Sequence, residues 1–168
     1  MNKLWAPWRM QYIQKIGSEK GCIFCTKPRQ SNDRKNLVLY RGKYCFVILN
    51  LFPYNNGHLM VVPYRHTPRV SDISGATLAE LWDLVGRCIE ILRKRFHAEG
   101  FNVGINAGKI AGAGIKEHLH VHVVPRWGGD TNYMPVIGGT KVISQALSDA
   151  WKQLYPLFHA KAGRGRSA

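Results

Sequence analysis

Two hydrophobic periods alternate along this chain and divide it into elements. The run NLVLYRGKYCFVILN, residues 36–50, is dense in Val, Leu, Tyr, Phe and Ile and breaks at Arg41-Gly42-Lys43, which predicts two strands joined by a turn. FPYNNG (52–57) has turn chemistry, and HLMVVP (58–63) is the next strand, stopped by Pro63. From Leu78 the period changes. Leu78, Leu81, Trp82, Val85, Ile89, Leu92 and Phe96 recur at three and four residues, one face of an amphipathic helix with Ser74 as N-cap and Gly100 as stop. FNVGIN (101–106) is a fourth strand, and the Gly-rich connection NAGKIAGAGIKE leads to a fifth in EHLHVHVVPRW. VISQALSDAWKQLYPLF (142–158) suggests a second helix, and GCIFC a tight turn. The order predicts an α+β fold, an antiparallel five-stranded sheet with two main helices. An N-terminal arm (1–20), one domain (21–158) and a flexible basic tail (159–168) are the expected divisions.

Charge narrows the class of partner. Lys and Arg number 24 against 10 Asp and Glu, a formal charge of +14. That excess suits polyanions, meaning nucleic acid or phosphorylated small molecules, although part of it sits at the two ends. No apolar run is long enough to span a membrane, and MNKLWAPWRM lacks the apolar core of a signal peptide, so a cytoplasmic chain with reduced thiols is expected. The four cysteines are then ligands, nucleophiles or core residues before they are disulfides.

Three constellations could carry chemistry. In EHLHVHVVPRW a strand would turn His118, His120 and His122 to one face, and Leu119, Val121 and Val123 to the other. Same-face neighbours on a strand stand roughly 6.6–7 Å apart, so His118 and His122 are too distant to share one ion. Adjacent pairs could bind metal, or a neutral imidazole could act as nucleophile. Cys22-Ile-Phe-Cys25 has the spacing of a zinc-binding turn, with plain thiols and a redox pair as alternatives. His66 and His118 are well placed to complete a zinc site, whereas Cys45 and Cys88 look like core residues. The glycines of NAGKIAGAG could bring backbone amides close to phosphate, with Lys109 adding charge; the alternative is a flexible connection.

His118-Leu119-His120-Val121-His122-Val123-Val124 resembles the signature of the histidine triad (HIT) family in full, and the resemblance extends from about Cys22 to Trp127. LWAPWR, GCIFC, AGAG, EHLHVHVVPRWGGD and Met134-Pro135-Val136 resemble its bacterial branch of diadenosine tetraphosphate phosphorylases and hydrolases. The resemblance implies His120 as nucleophile on the α-phosphorus, His122 as a phosphate contact and His58 as its support. It implies nucleotide-binding roles for Ile48, Asn50, Asn106, Gly108, Lys109, Gly112 and Gly114. It also implies a structural Zn²⁺ held by Cys22, Cys25, His66 and His118, and a homodimer, with a tetramer as the larger alternative.

Two departures matter. Hydrolase members usually carry Gln with Ser or Thr just before the triad, where this chain has Gly114-Ile115. Phosphorylase-like members often have Gln at the third triad position, where this chain keeps His122. The expectation is a hydrolase of dinucleoside polyphosphates acting through a nucleotidyl-histidine, with a phosphorylase using inorganic phosphate as the first alternative. A zinc-containing nucleic-acid-binding module is the alternative of another class. It leaves the triad unexplained, so nucleic acid is not the expected partner.

Overall fold

The computed structural model describes residues 21–130 and 145–160; the expected N-terminal arm, Met134-Pro135-Val136 and residues 161–168 of the tail lie outside them. Five strands form one antiparallel sheet: β1 Val38–Arg41, β2 Cys45–Leu49, β3 Leu59–Pro63, β4 Gly100–Gly104 and β5 Val121–Arg126. Their order is β1-β2-β3-β5-β4. The last strand therefore lies between the third and fourth, because helix α1 (Gly75–Phe96) carries the chain from β3 to the far edge. The expected α+β fold, with a five-stranded antiparallel sheet and two main helices, is borne out.

Side-chain alternation gives the sheet two buried faces. Cys45, Val47 and Leu49 of β2, Leu59 and Val61 of β3, and Val121 and Val123 of β5 pack beneath both helices. They meet Leu81, Leu84, Val85, Cys88 and Leu92 of α1, and Ala150, Leu154 and Phe158 of α2 (Leu147–His159). The intervening residues Phe46, Ile48, Met60 and Val62 face the other way and pack with Phe24. Both faces of β2 and β3 are thus apolar, which is why the sequence there reads as near-continuous hydrophobic runs.

Some boundaries differ from expectation. Ser74 does cap α1, accepting from the Thr77 amide at 3.2 Å. The helix ends at His97, however, which adopts the left-handed conformation itself (φ 53°), and Gly100 opens β4 instead. Leu78 and Trp82 were expected in the core but are 37% and 50% exposed, because the buried stripe centres on Leu81, Leu84, Val85, Cys88 and Leu92. GCIFC is a short helix, Ile23–Thr26, and α2 runs on through His159, which the expected division gave to the tail. Among the described residues no helix is long and apolar enough to cross a membrane.

Candidate active site and metal centre

The short helix at Cys22 gathers the first group. The Cys25 and Thr26 amides donate to the Cys22 carbonyl at 3.0 and 3.1 Å, and this turn sets both thiols on one side. The segment after β3 brings His66, and the segment before β5 brings His118. These two segments are tied by the Leu119 amide, which donates to the Thr67 carbonyl at 2.7 Å. His118 Nε2 lies 2.8 Å from the Pro63 carbonyl. A carbonyl only accepts, so Nε2 carries the proton and Nδ1 presents a lone pair.

That lone pair points into the group. His118 Nδ1 is 3.3 Å from Cys22 Sγ, 3.5 Å from Cys25 Sγ and 3.2 Å from His66 Nδ1, and His66 Nδ1 is 3.3 Å from Cys25 Sγ. All four donor atoms lie within 4.8 Å of one another. A tetrahedron with zinc bond lengths would set its corners roughly 3.3–3.8 Å apart, close to the four separations of 3.2–3.5 Å, and the widest pair would have to draw in by up to about 1 Å. The His118–Pro63 contact is the outer support that a metal-binding imidazole needs. Desolvation, and then the charge of Cys22, raise the Cys25 thiol above its ordinary value. A cation among these atoms would oppose both effects. Cys45 is a core residue, as expected, and burial pushes its thiol up to about 12; burial also raises Cys88.

The triad is differently placed from the single strand expected. β5 begins at Val121, so only His122 sits in the ladder, opposite Met60 and Gly104; His118 and His120 precede it. His120 Nδ1 lies 2.8 Å from the His118 carbonyl, so Nδ1 bears the proton and Nε2 is a free lone pair. Desolvation lowers the His120 pKa, and the carbonyl contact partly opposes that shift.

His122 holds the opposite tautomer, and the reason lies in His58 and the backbone amide bonded to it. The Tyr54 backbone amide donates to His58 Nδ1 at 3.0 Å, and Asn50 Nδ2 lies 3.3 Å from the same atom. His58 Nδ1 is therefore an acceptor, and its proton is on Nε2. Nε2 lies 2.9 Å from His122 Nδ1, which must accept, leaving the His122 proton on Nε2. Burial first, and the charge of His120 second, hold His122 down to about 4. The rings of His120 and His122 are 4.9 Å apart. One offers a lone pair and its neighbour an N–H.

The remaining expected residues lie on β2, just after it, and in the connection from β4 to β5. Ile48 is buried beside Phe46 and Phe24, and Asn50 is half-buried and bonded through its Oδ1 to the Phe52 amide at 3.0 Å. Asn106, Gly112 and Gly114 are half-buried, whereas Gly108 and Lys109 are exposed. The Gly112 amide donates to the Lys109 carbonyl at 3.0 Å and the Ala113 amide to the Gly108 carbonyl at 3.2 Å, so this connection closes on itself. Gly108 and Gly112 have φ of 86° and 90°, which explains their identity. Sequence reasoning missed Tyr54, which acts through its backbone, and Phe24, whose ring is 5.6 Å from that of His118 and 5.0 Å from that of His120. Neither left a signal beyond an aromatic residue in a turn.

Residues 31–129 match the family model described as the HIT domain. The chain belongs to the HIT domain family. An AP-4-A phosphorylase of Mycobacterium tuberculosis is 42% identical over 161 residues, which cover 92% of this chain and 83% of that protein. A bis(5'-nucleosyl)-tetraphosphatase [asymmetrical] of Schizosaccharomyces pombe is 37% identical over 89 residues, 53% of this chain and 48% of its own. Among solved structures, a histidine triad nucleotide-binding protein from Sulfolobus tokodaii superposes with a TM-score of 0.62 at 25% identity, covering 82% of this chain and 89% of that one. A Zn-bound histidine triad family protein from Mycobacterium smegmatis has the same fold, with a TM-score of 0.60 at 23% identity over 89% of this chain and 92% of its own. This HIT protein is an enzyme of the nucleotide hydrolase and phosphorylase class.

Proposed function

We propose that this HIT enzyme cleaves dinucleoside polyphosphates of the diadenosine tetraphosphate type through a nucleotidyl group on His120, and that inorganic phosphate then accepts that group. The His120 Nε2 lone pair attacks the α-phosphorus, and the bridging P–O bond breaks with its electron pair leaving on ATP. The His120 Nδ1–H stays on the His118 carbonyl and shares the imidazolium charge. The His122 N–H donates to a phosphate oxygen as negative charge develops there. A phosphate oxygen next attacks the nucleotidyl phosphorus, the P–N bond breaks, and its electron pair returns to Nε2, giving ADP.

The opposite tautomers of His120 and His122 carry this proposal. Hydrolysis would draw on proton exchange at His122, since water needs a base. The basic nitrogen of His122 is already engaged by His58, so His122 acts as a neutral donor, much as a Gln amide would. Phosphate arrives as an anion and needs no base. The identity of 42% to an AP-4-A phosphorylase over most of both chains supports the same acceptor. Hydrolysis is the second reading, favoured by a third triad residue that is His and by the tetraphosphatase relative. Turnover of diadenosine tetraphosphate in phosphate-free buffer separates them. The phosphorylase needs added phosphate and yields ADP and ATP; undiminished turnover to AMP and ATP assigns hydrolysis.

Zinc belongs to the same proposal, held by Cys22, Cys25, His66 and His118 in a closed set that supplies folding free energy rather than an open coordination position. A homodimer is its assembly, with a tetramer as the larger form: β4 offers a sheet edge with Val103 37% exposed, and α1 exposes Leu78 and Trp82 one turn apart. Four free cysteines fit a cytoplasmic setting.

A further inference from the structure

Asn55 lies in the loop between β2 and β3 and is buried, although Asn55-Asn56-Gly57 reads as ordinary turn chemistry. Its Nδ2 donates to the Pro125 carbonyl at 3.1 Å and to Asp130 Oδ2 at 2.8 Å. Asp130 is gripped in turn: Arg126 donates from Nε to Oδ2 at 2.5 Å and from Nη2 to Oδ1 at 2.8 Å, and the Trp127 amide donates to Oδ2 at 3.3 Å. Arg126 Nη1 reaches Asn102 Oδ1 on β4 at 2.9 Å. The Asp130 side chain is only 9% exposed. Burying an amide against a carboxylate is costly unless both are paired, and a turn alone does not need it.

What the contact does fix is the distance between two parts of the site. On one side, the Asn55 carbonyl accepts the His58 amide at 3.2 Å, and the Asn50 amide donates to the His58 carbonyl at 3.0 Å, so the loop from Asn50 to His58 closes as one piece. On the other, Pro125 and Asp130 lie at the end of the strand that carries His122. The His58–His122 contact joins these same two pieces. We propose that Asn55 and Asp130 are positioning residues, a clamp that holds His58 against His122 and so selects the His122 tautomer whose N–H faces phosphate. This rests on the role given to His122 above. Positional errors near 1 Å are enough to cost about a hundredfold in rate at such a site.

Asn55→Asp keeps the size of the side chain, removes both donors and sets two carboxylates face to face. Asp130→Ala removes the acceptor instead and leaves Asn55 its bond to the Pro125 carbonyl. Asn55→Asp should lose at least tenfold in kcat with KM changed less than twofold, and Asp130→Ala should lose less. Nitrogen-15 NMR of the histidine side chains in the ligand-free full chain supplies the second readout. Wild-type His122 should carry its proton on Nε2 alone, and each variant should show both neutral tautomers. A folded Asn55→Asp protein with an unchanged His122 tautomer overturns the proposal. Should Asn55→Asp not fold, Asp130→Ala takes both measurements, and wild-type kcat and tautomer there overturn it equally. The NMR arm uses no substrate, so a wrong assignment of substrate or acceptor would leave its result standing.

Discussion

His122→Gln should flatten the dependence of stability on pH while keeping the site at work. In the folded protein burial holds His122 at about 4, against an ordinary 6.5 in the unfolded chain. The unfolded chain therefore takes up a proton first as pH falls, and folding loses stability from about pH 7 downwards until both forms are charged near pH 4. At about 1.4 kcal/mol per pH unit, the whole gap is worth about 3 kcal/mol, of which about 2 kcal/mol is lost between pH 7.5 and pH 5. Gln does not titrate, yet its oxygen can accept from His58 Nε2 and its amide can donate to phosphate. Urea unfolding of both proteins at pH 7.5 and 5.0 gives the comparison. His118 and His120, which burial also lowers, are present in both and cancel in the difference. Wild type should lose about 2 kcal/mol more than the variant over that interval, and the variant should keep activity within about tenfold. Equal losses in the two proteins would mean that His122 is not held neutral by its surroundings, and the donor role argued for it would go too.

His120→Ala should abolish turnover and leave nucleotide binding, and mass spectrometry of acid-sensitive quenched samples should find the nucleotide adduct on wild type only; retention of more than a few per cent of activity would assign the nucleophile elsewhere. Chelation should lower the melting temperature, and metal analysis should find one zinc per chain, with Cys25→Ser losing it; absence of zinc from fresh protein would make Cys22 and Cys25 plain thiols. Gly57→Ala should cost about 1–2 kcal/mol by denaturant unfolding, because φ is 70° there and a Cβ would stand 3.1 Å from Leu92 and Phe96; an unchanged midpoint would show that the loop beside His58 yields. Raising salt should depress kcat/KM more for the more highly charged substrates, given the +14 charge, and a flat response would assign that charge to solubility.

Much of this was legible in the chain itself. Apolar runs bounded by turn residues, the alternation around the histidines and the period of 3.6 in the first main helix marked the strands and helices, because burial in a sheet or on a helix face imposes those patterns directly. The His-Leu-His-Val-His pattern and Cys22-x-x-Cys25 marked the chemistry, since few structural roles need such residues at such intervals. Boundaries were less legible. Leu78 and Trp82 fit the helical period as well as Leu81 does, and only the position of the sheet decides which flank is covered.

Residue types and spacings along the chain determined which groups could react; the tertiary structure decided what state each one is in. His118, His120 and His122 are the same residue in one short pattern, yet one meets cysteines, one carries a free lone pair and one carries a donor proton. The difference comes from the Pro63 carbonyl, the His118 carbonyl and the Tyr54 amide acting through His58. Backbone groups are alike in every residue, so no sequence pattern distinguishes the carbonyl or amide that will fix a tautomer. Only folding, by bringing a particular one within hydrogen-bond distance, makes the choice.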